Sequence, residues 1–176
     1  GIAETSGEIL VFVDDDCLLA PDYLQVVGRT LGENPFLGTL GGYGTAEYEQ
    51  PPPDWINSTF RWYHLDFSVE RSEHPLVYAR CHRIGEWTPV GAGMAVRRDV
   101  AEGYVQSIRA DVKALALDRT GTLLSGGGDL DLSIHAVQQG YATGRSDHLA
   151  FRHVVPAFRL ELAYMLRLLY MSQYSV

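Results

Sequence analysis

The sequence predicts a three-layer α/β domain with a mostly parallel sheet. Strand-like and helix-like stretches alternate along the chain, the pattern of an α/β sandwich. Ile9 to Val13 is a continuous apolar run rich in β-branched residues, ended abruptly by Asp14, Asp15 and Asp16. Such a run suits a strand covered on both faces, as in the parallel part of an α/β sheet. The 176 residues are 46% hydrophobic, an ordinary globular composition. At this length about 70% of the unfolded surface can be buried, so residues 1–176 are read as a single domain around one core.

Each element follows from local chemistry. After the apolar strand, Pro21 opens a short helix over 22–31, and Gly32 suits its end. Leu37 to Tyr48 alternates loosely and holds four glycines, which predicts a strand with a bulge or a close backbone approach. Pro51-Pro52-Pro53 marks a loop. Residues 55–70 are aromatic and weakly helical, and 71–86 are polar and irregular. Pro89 to Arg97 reads as a loop entering a strand, with Gly91-Ala92-Gly93 at its start, and Arg98 to Tyr104 as a short helix. Residues 105–124 have no clear period. Leu130, Ile134 and Val137 lie at helical spacing over Asp129 to Gln139, and Gly140 is a good stop. His148 to Val155 reads as a short strand, and Pro156 opens a last helix running to about residue 174.

Composition removes several function classes. The formal charge of −8 argues against nonspecific binding to nucleic-acid phosphates. Cys17 and Cys81 are too few for a disulfide scaffold or a cysteine zinc site, which points to a reducing compartment. No window has the basic-then-apolar pattern of a secretory leader, and none approaches the roughly 18 apolar residues of a spanning helix. The expected location is therefore cytoplasmic. A strand opening this close to residue 1 predicts that further chain precedes it. The segment 158–171 is apolar nearly all round, broken by Arg159, Glu161 and Arg167. Burial is the first reading of such a helix. Peripheral contact with the inner membrane face is the alternative.

Asp14-Asp15-Asp16 is the most informative feature. Adjacent carboxylates repel, so a fold gains nothing from grouping them. In open α/β sheets, ligands sit beyond the carboxyl ends of strands. Hard divalent ions such as Mg²⁺ or Mn²⁺ take one or two carboxylates together with substrate phosphates. The triplet therefore reads as a phosphate-bridging metal site, with a solvated acidic turn as the plain structural alternative.

Four stretches taken together resemble family 2 glycosyltransferases. Gly1 to Asp16 followed by Pro21-Asp22-Tyr23-Leu24 resembles the centre of that family's domain. Val90-Gly91-Ala92-Gly93-Met94-Ala95-Val96-Arg97-Arg98 resembles its acceptor-side strand. Gly127-Gly128-Asp129-Leu130-Asp131-Leu132 resembles its Gly-Glu-Asp helix start, and His153-Val154-Val155-Pro156 with Arg159 its closing motif. The resemblance implies a GT-A-like α/β/α sandwich, truncated at its N-terminus, with this chain as roughly the C-terminal two-thirds of the domain. It implies an inverting transferase that moves a sugar from a nucleotide-diphosphate donor to a hydroxyl acceptor, a carbohydrate or another alcohol, with Mn²⁺ or Mg²⁺ as cofactor.

The resemblance also assigns roles. Asp16 is the expected direct metal ligand. Asp14 or Asp15 contacts the ribose or a metal-bound water, with Asp14 also a candidate ligand. His153 completes the metal shell through a neutral imidazole nitrogen. Asp129 is the general base, at a helix N-terminus where a charged carboxylate is favoured; the structural alternative is a helix cap. The family's Glu is replaced by Gly128, which opens a second reading, a degenerate sugar-nucleotide-binding domain. Asp131 reads as a first-turn charge. Gly91, Ala92 and Gly93 let backbone approach the donor sugar, or simply form a tight turn. Arg159 pairs with the departing phosphate or is a salt-bridged helix residue. Trp55, Trp62 and Trp87 are stacking candidates or packing residues. His64, His74, His82, His135 and His148 carry no assigned role. A metal-dependent nucleotidyltransferase would share the acidic site, without support from the later motifs.

Overall fold

Two long strands that run parallel to each other organise the chain. The computed structural model describes residues 2–60, 67–110 and 127–172. Within them the order is β1 (Ile9–Val11), β2 (Cys17–Leu19), α1 (Tyr23–Glu33), β3 (Leu37–Tyr48), β4 (Leu76–Ala79), β5 (Ala95–Arg97), α2 (Arg98–Ala110), α3 (Gly128–Gln138), β6 (Ala142–Val155) and α4 (Leu162–Ser172). The six-stranded sheet has the order β1-β5-β3-β6-β2, and β4 also pairs with β6. Only β3 and β6 pair in parallel; the β1–β5, β3–β5, β2–β6 and β4–β6 pairings are antiparallel.

The chain is thus α/β as expected, but its sheet is not mostly parallel. The apolar run after residue 8 is not a central strand. Its ordered part, Ile9–Val11, lies at the sheet edge against β5, and Phe12 and Val13 are exposed beyond it. An apolar run reports burial, not pairing direction, and here Ile9 and Val11 are only half-buried while Leu10 is covered. The polar appearance of 71–86 hides β4, and Cys17–Leu19 forms a strand too short to show a period.

Helices cover both faces. α1 lays Tyr23, Val26, Val27 and Leu31 on Leu37, Leu40, Ala95, Ala142 and Leu149. The neighbouring residue Val96 points the other way and joins Leu10, Met94, Val100, Ala101, Leu132 and Ala136 beneath α2 and α3. Each fully buried leucine or valine in these layers contributes about 1.5–3 kcal/mol. α3 forms where expected, but its inward face is Leu132, Ser133 and Ala136 rather than Leu130, Ile134 and Val137. α1 runs on through Gly32 to Glu33. Arg97 then closes it, donating from Nε to Leu37 O at 2.7 Å and from Nη2 to Leu31 O at 2.7 Å, so a cation meets the carbonyl end of the helix.

β6 is far longer than the short strand expected from His148. Gly144, Arg145, Ser146 and Asp147 break the apolar pattern, yet β3 and β4 flank them and supply backbone partners. Between the pairs Gly41–Arg145 and Tyr43–Ala150 the register shifts, and β6 advances by more residues than β3. Gly42 faces this irregularity, where a Cβ would lie 2.0 Å from Leu149 O. Thr39 and Thr143, both buried, satisfy each other across β3 and β6 at 2.7 Å.

A third cluster caps the far ends of β3 and β6. Ile56, Phe60, Val155, Leu160, Met165 and Leu168 pack together, with Phe67 and Trp55 against them. α4 buries Met165 and Leu168 but leaves Phe158 ahead of it, Leu162, Leu166 and Tyr170 more than half exposed, so the expected all-round burial of 158–171 is restricted to one face. No helix among the described residues is long and apolar enough to cross a membrane.

These contacts set opposite outcomes for two glycines. Gly42→Ala drives a methyl into a backbone carbonyl and costs about 2–3 kcal/mol. Gly28 lies on the open face of α1, where a Cβ meets nothing within 4 Å, and Gly28→Ala stabilises by about 0.5–1 kcal/mol. Urea unfolding midpoints of the two variants check both signs.

Candidate functional site

The antiparallel pairing of β2 with β6 builds the site. Its register sets Cys17 opposite His153, and Val154 N donates to Asp16 O at 2.8 Å. A turn from Asp14 to Cys17, closed by Cys17 N donating to Asp14 O, delivers Asp16 to the start of β2. Asp16 Oδ2 then lies 3.3 Å from His153 Nε2. Arg159, from the short helical turn Ala157–Leu160 after Pro156, places Nη1 2.8 Å from the same oxygen and 3.3 Å from the same nitrogen. All three side chains are about four-fifths buried.

The orientation of the His153 ring follows from its neighbours. Nδ1 lies 3.2 Å from Phe67 O, a carbonyl that can only accept, so Nδ1 donates to it. Nε2 is then the ring atom that faces Asp16 and Arg159. The Phe67 ring also packs edge-on against the imidazole at 5.6 Å. Phe67 reaches this position in the left-handed region, φ 61°, a strained backbone for a bulky residue that costs about 1 kcal/mol or more.

Asp16 is electrostatically held as a carboxylate. Burial pushes its proton affinity up, but the adjacent His153 and the Arg159 guanidinium outweigh that and bring the carboxyl below its ordinary range. The Cys17 thiol moves the other way. Burial and the Asp16 carboxylate push it up to about 12. It stays protonated and donates to Asp16 Oδ1 at 3.5 Å.

Asp16, Cys17 and His153 together offer three donor atoms within 4.8 Å of one another. Adjacent ligands of an octahedral Mg²⁺, with bonds of about 2.1 Å, lie about 3 Å apart. The Asp16–His153 separation of 3.3 Å, with Nε2 as the ring atom on that side, fits a divalent ion. Cys17, as a neutral thiol, fits as the donor that orients Asp16. Asp14 is outside this group of three; it and Asp15 are exposed on the preceding turn.

A second cluster surrounds Asp129, in the first turn of α3. Gly91 N donates to Asp129 Oδ2 at 2.8 Å, and Leu130 N to Oδ1 at 2.8 Å. The Gly91–Gly93 turn continues to Gly93, at φ +72°, whose carbonyl accepts from Tyr23 OH at 2.7 Å. A Cβ on Gly93 would lie 2.6 Å from that hydroxyl and 3.2 Å from Leu19 of β2, whereas one on Gly91 meets only ordinary contacts. This turn therefore struts α3 to α1 and to β2, the strand that follows Asp16.

The remaining candidates separate from the site. Trp55 packs edge-on against Phe60 at 5.4 Å within the third cluster, and Trp87 lies over Gly85. Trp62 and His64 fall outside the described residues. His74, His82 and His148 are exposed, and His135 binds Gln139 at 2.8 Å on the surface of α3. Sequence reasoning missed Cys17 and Phe67. Cys17 carried a signal, since it adjoins the triplet, but Phe67 acts through a backbone carbonyl that no side-chain pattern reports. No protein-family model matches the chain, and no curated protein sequence matches it.

Two measurements follow from these environments. A depressed carboxyl contributes stability that is present above its unfolded value near pH 4 and is lost as the pH falls through the lower folded value. In chelator, wild-type stability therefore declines more steeply than that of Asp16→Asn as pH drops from about 5 to 2; parallel decline refutes the assignment. With iodoacetamide at pH 8, mass spectrometry finds Cys81 labelled and Cys17 protected until the protein is unfolded, because only a thiolate reacts.

Proposed function

We propose that the chain carries the catalytic part of an inverting, divalent-metal-dependent glycosyltransferase of the GT-A type. Its donor is a nucleotide-diphosphate sugar and its acceptor a hydroxyl group. The observation that carries this reading is the meeting of Asp16, His153 and Arg159 in one cluster: a carboxylate, an imidazole nitrogen and a guanidinium within 3.3 Å. The ordered resemblance of four sequence stretches supports the same reading.

Asp16 and His153 hold Mn²⁺ or Mg²⁺ in this scheme. When bound, the ion supplies Lewis-acid stabilisation of the departing diphosphate. Asp14 or Asp15, exposed on the turn, reaches the ribose or a metal-bound water. Arg159 accompanies the diphosphate, for which its planar fork is suited. The acceptor oxygen bonds to the anomeric carbon as the bond from that carbon to the phosphate oxygen breaks on the opposite face. The acceptor proton passes to Asp129. The Gly91–Gly93 backbone, held between Asp129 and Tyr23, flanks the donor sugar.

A second reading, a sugar-nucleotide-binding domain without turnover, draws on one specific observation. Both Asp129 oxygens already accept backbone N–H groups, and Gly128 stands where the family has Glu. The two readings differ in what Asp129→Asn does. For the enzyme, hydrolysis-corrected transfer from a panel of sugar nucleotides falls about 10²–10⁴-fold with donor affinity unchanged. Asp16→Asn removes metal-dependent donor binding. Donor binding without any transfer, indifferent to Asp129→Asn, establishes the second reading instead.

A further inference from the structure

His153 Nε2 and Asp16 Oδ2, the two atoms a divalent ion would bridge, are only 3.3 Å apart. His153 Nδ1 faces the Phe67 carbonyl, so Nε2 is the ring atom turned to the carboxylate. Arg159 Nη1 stands against both, 2.8 Å from the carboxylate oxygen and 3.3 Å from the nitrogen. It occupies the position that a divalent ion needs.

We propose that Arg159 is the resident counter-cation of this site, that it must leave Asp16 and His153 before a divalent ion binds, and that it thereby sets the protein's affinity for metal. The inference rests on the metal-site part of the function proposed above. A guanidinium keeps its charge at any pH the fold survives, so guanidinium and metal exclude each other both sterically and by charge. The guanidinium's grip is also incomplete. Arg159 Nε is buried and has no hydrogen-bond partner among the described residues, so this pose leaves a donor unsatisfied. Apparent metal affinity is the intrinsic affinity multiplied by the fraction of molecules in which Arg159 has moved aside. Arg159 is in this sense a positioning residue, acting on the cation through the two ligands it occupies.

The test is binding of Mn²⁺ alone, followed by the loss of the free-ion electron paramagnetic resonance signal, with the intact protein. Arg159→Gln, which removes the charge and is too short to reach both ligands, binds Mn²⁺ about tenfold tighter than wild type, or more. Arg159→Lys keeps a cation and stays near wild type. Asp16→Asn in the Arg159→Gln background abolishes the gain, which locates it. Where Arg159→Gln fails to fold by circular dichroism, wild-type protein labelled with ¹⁵N at arginine gives the answer. Its Arg159 Nε–H resonance moves on titration with diamagnetic Mg²⁺, and does not move in Asp16→Asn. Equal or weaker Mn²⁺ binding by a folded Arg159→Gln, with wild-type binding still dependent on Asp16, overturns the inference and leaves the proposed function standing. So does an Arg159 resonance indifferent to Mg²⁺. Absence of Mn²⁺ binding in every variant overturns both.

Discussion

A pairing of three residues decides where a buried carboxylate meets an imidazole in this chain. β2 lies against the far end of β6 in the register Cys17–His153, Leu18–Arg152, Leu19–Phe151. Through it a carboxylate and an imidazole separated by 137 positions come within 3.3 Å. Closing so long a loop is entropically costly, though the cost grows only slowly with length. Burial of the central strands meets it, because β6 is already held against β3 along most of its length. The short strand then adds its contacts to an edge that exists without it.

Arginines do three different jobs around this sheet. Arg97 gathers carbonyls from the end of α1 and the start of β3. Arg145 reaches the carbonyls of Gly42, Glu86 and Glu70 and so draws separate loops onto β6. Both spend their donors on backbone oxygens, which cannot leave. Arg159 instead spends its own on a carboxylate and an imidazole. The contrast distinguishes guanidinium groups that fasten the backbone from one held by two ionisable side chains.

How far the sequence disclosed this arrangement differs by element. α1 and α3 were legible as helices, although the apolar spacing chose the wrong face of α3. The sheet was not. Ile9–Val13 has the composition of a central parallel strand, yet an edge position beside β5 needs only Leu10 fully covered. β4 was hidden because alternate residues of Leu76–Ala79 face solvent, with Tyr78 exposed. Asp16 and His153 were recoverable as neighbours because their own side chains make the contact. The contact of Phe67 was not, since any residue has a carbonyl and only tertiary structure decides which one meets an imidazole. Asp129 illustrates a middle case: its helix position was read correctly, while its bond to Gly91 N depends on a turn 38 residues away.

The irregular stretch of β6 opposite Gly42 has a consequence for how the molecule tolerates change. In a regular ladder, a slip of one residue propagates along the strand and turns every side chain to the other face. Here Ser146 to Leu149 stand against Gly42 alone, which interrupts the β3–β6 ladder between the β4 end and the β2 end. Slack of this kind uncouples the two halves of one strand. Lengthening or shortening by natural variation near the β4 end can be absorbed there, so that the outer half of the sheet is free to diverge while the imidazole keeps its alignment with the aspartate.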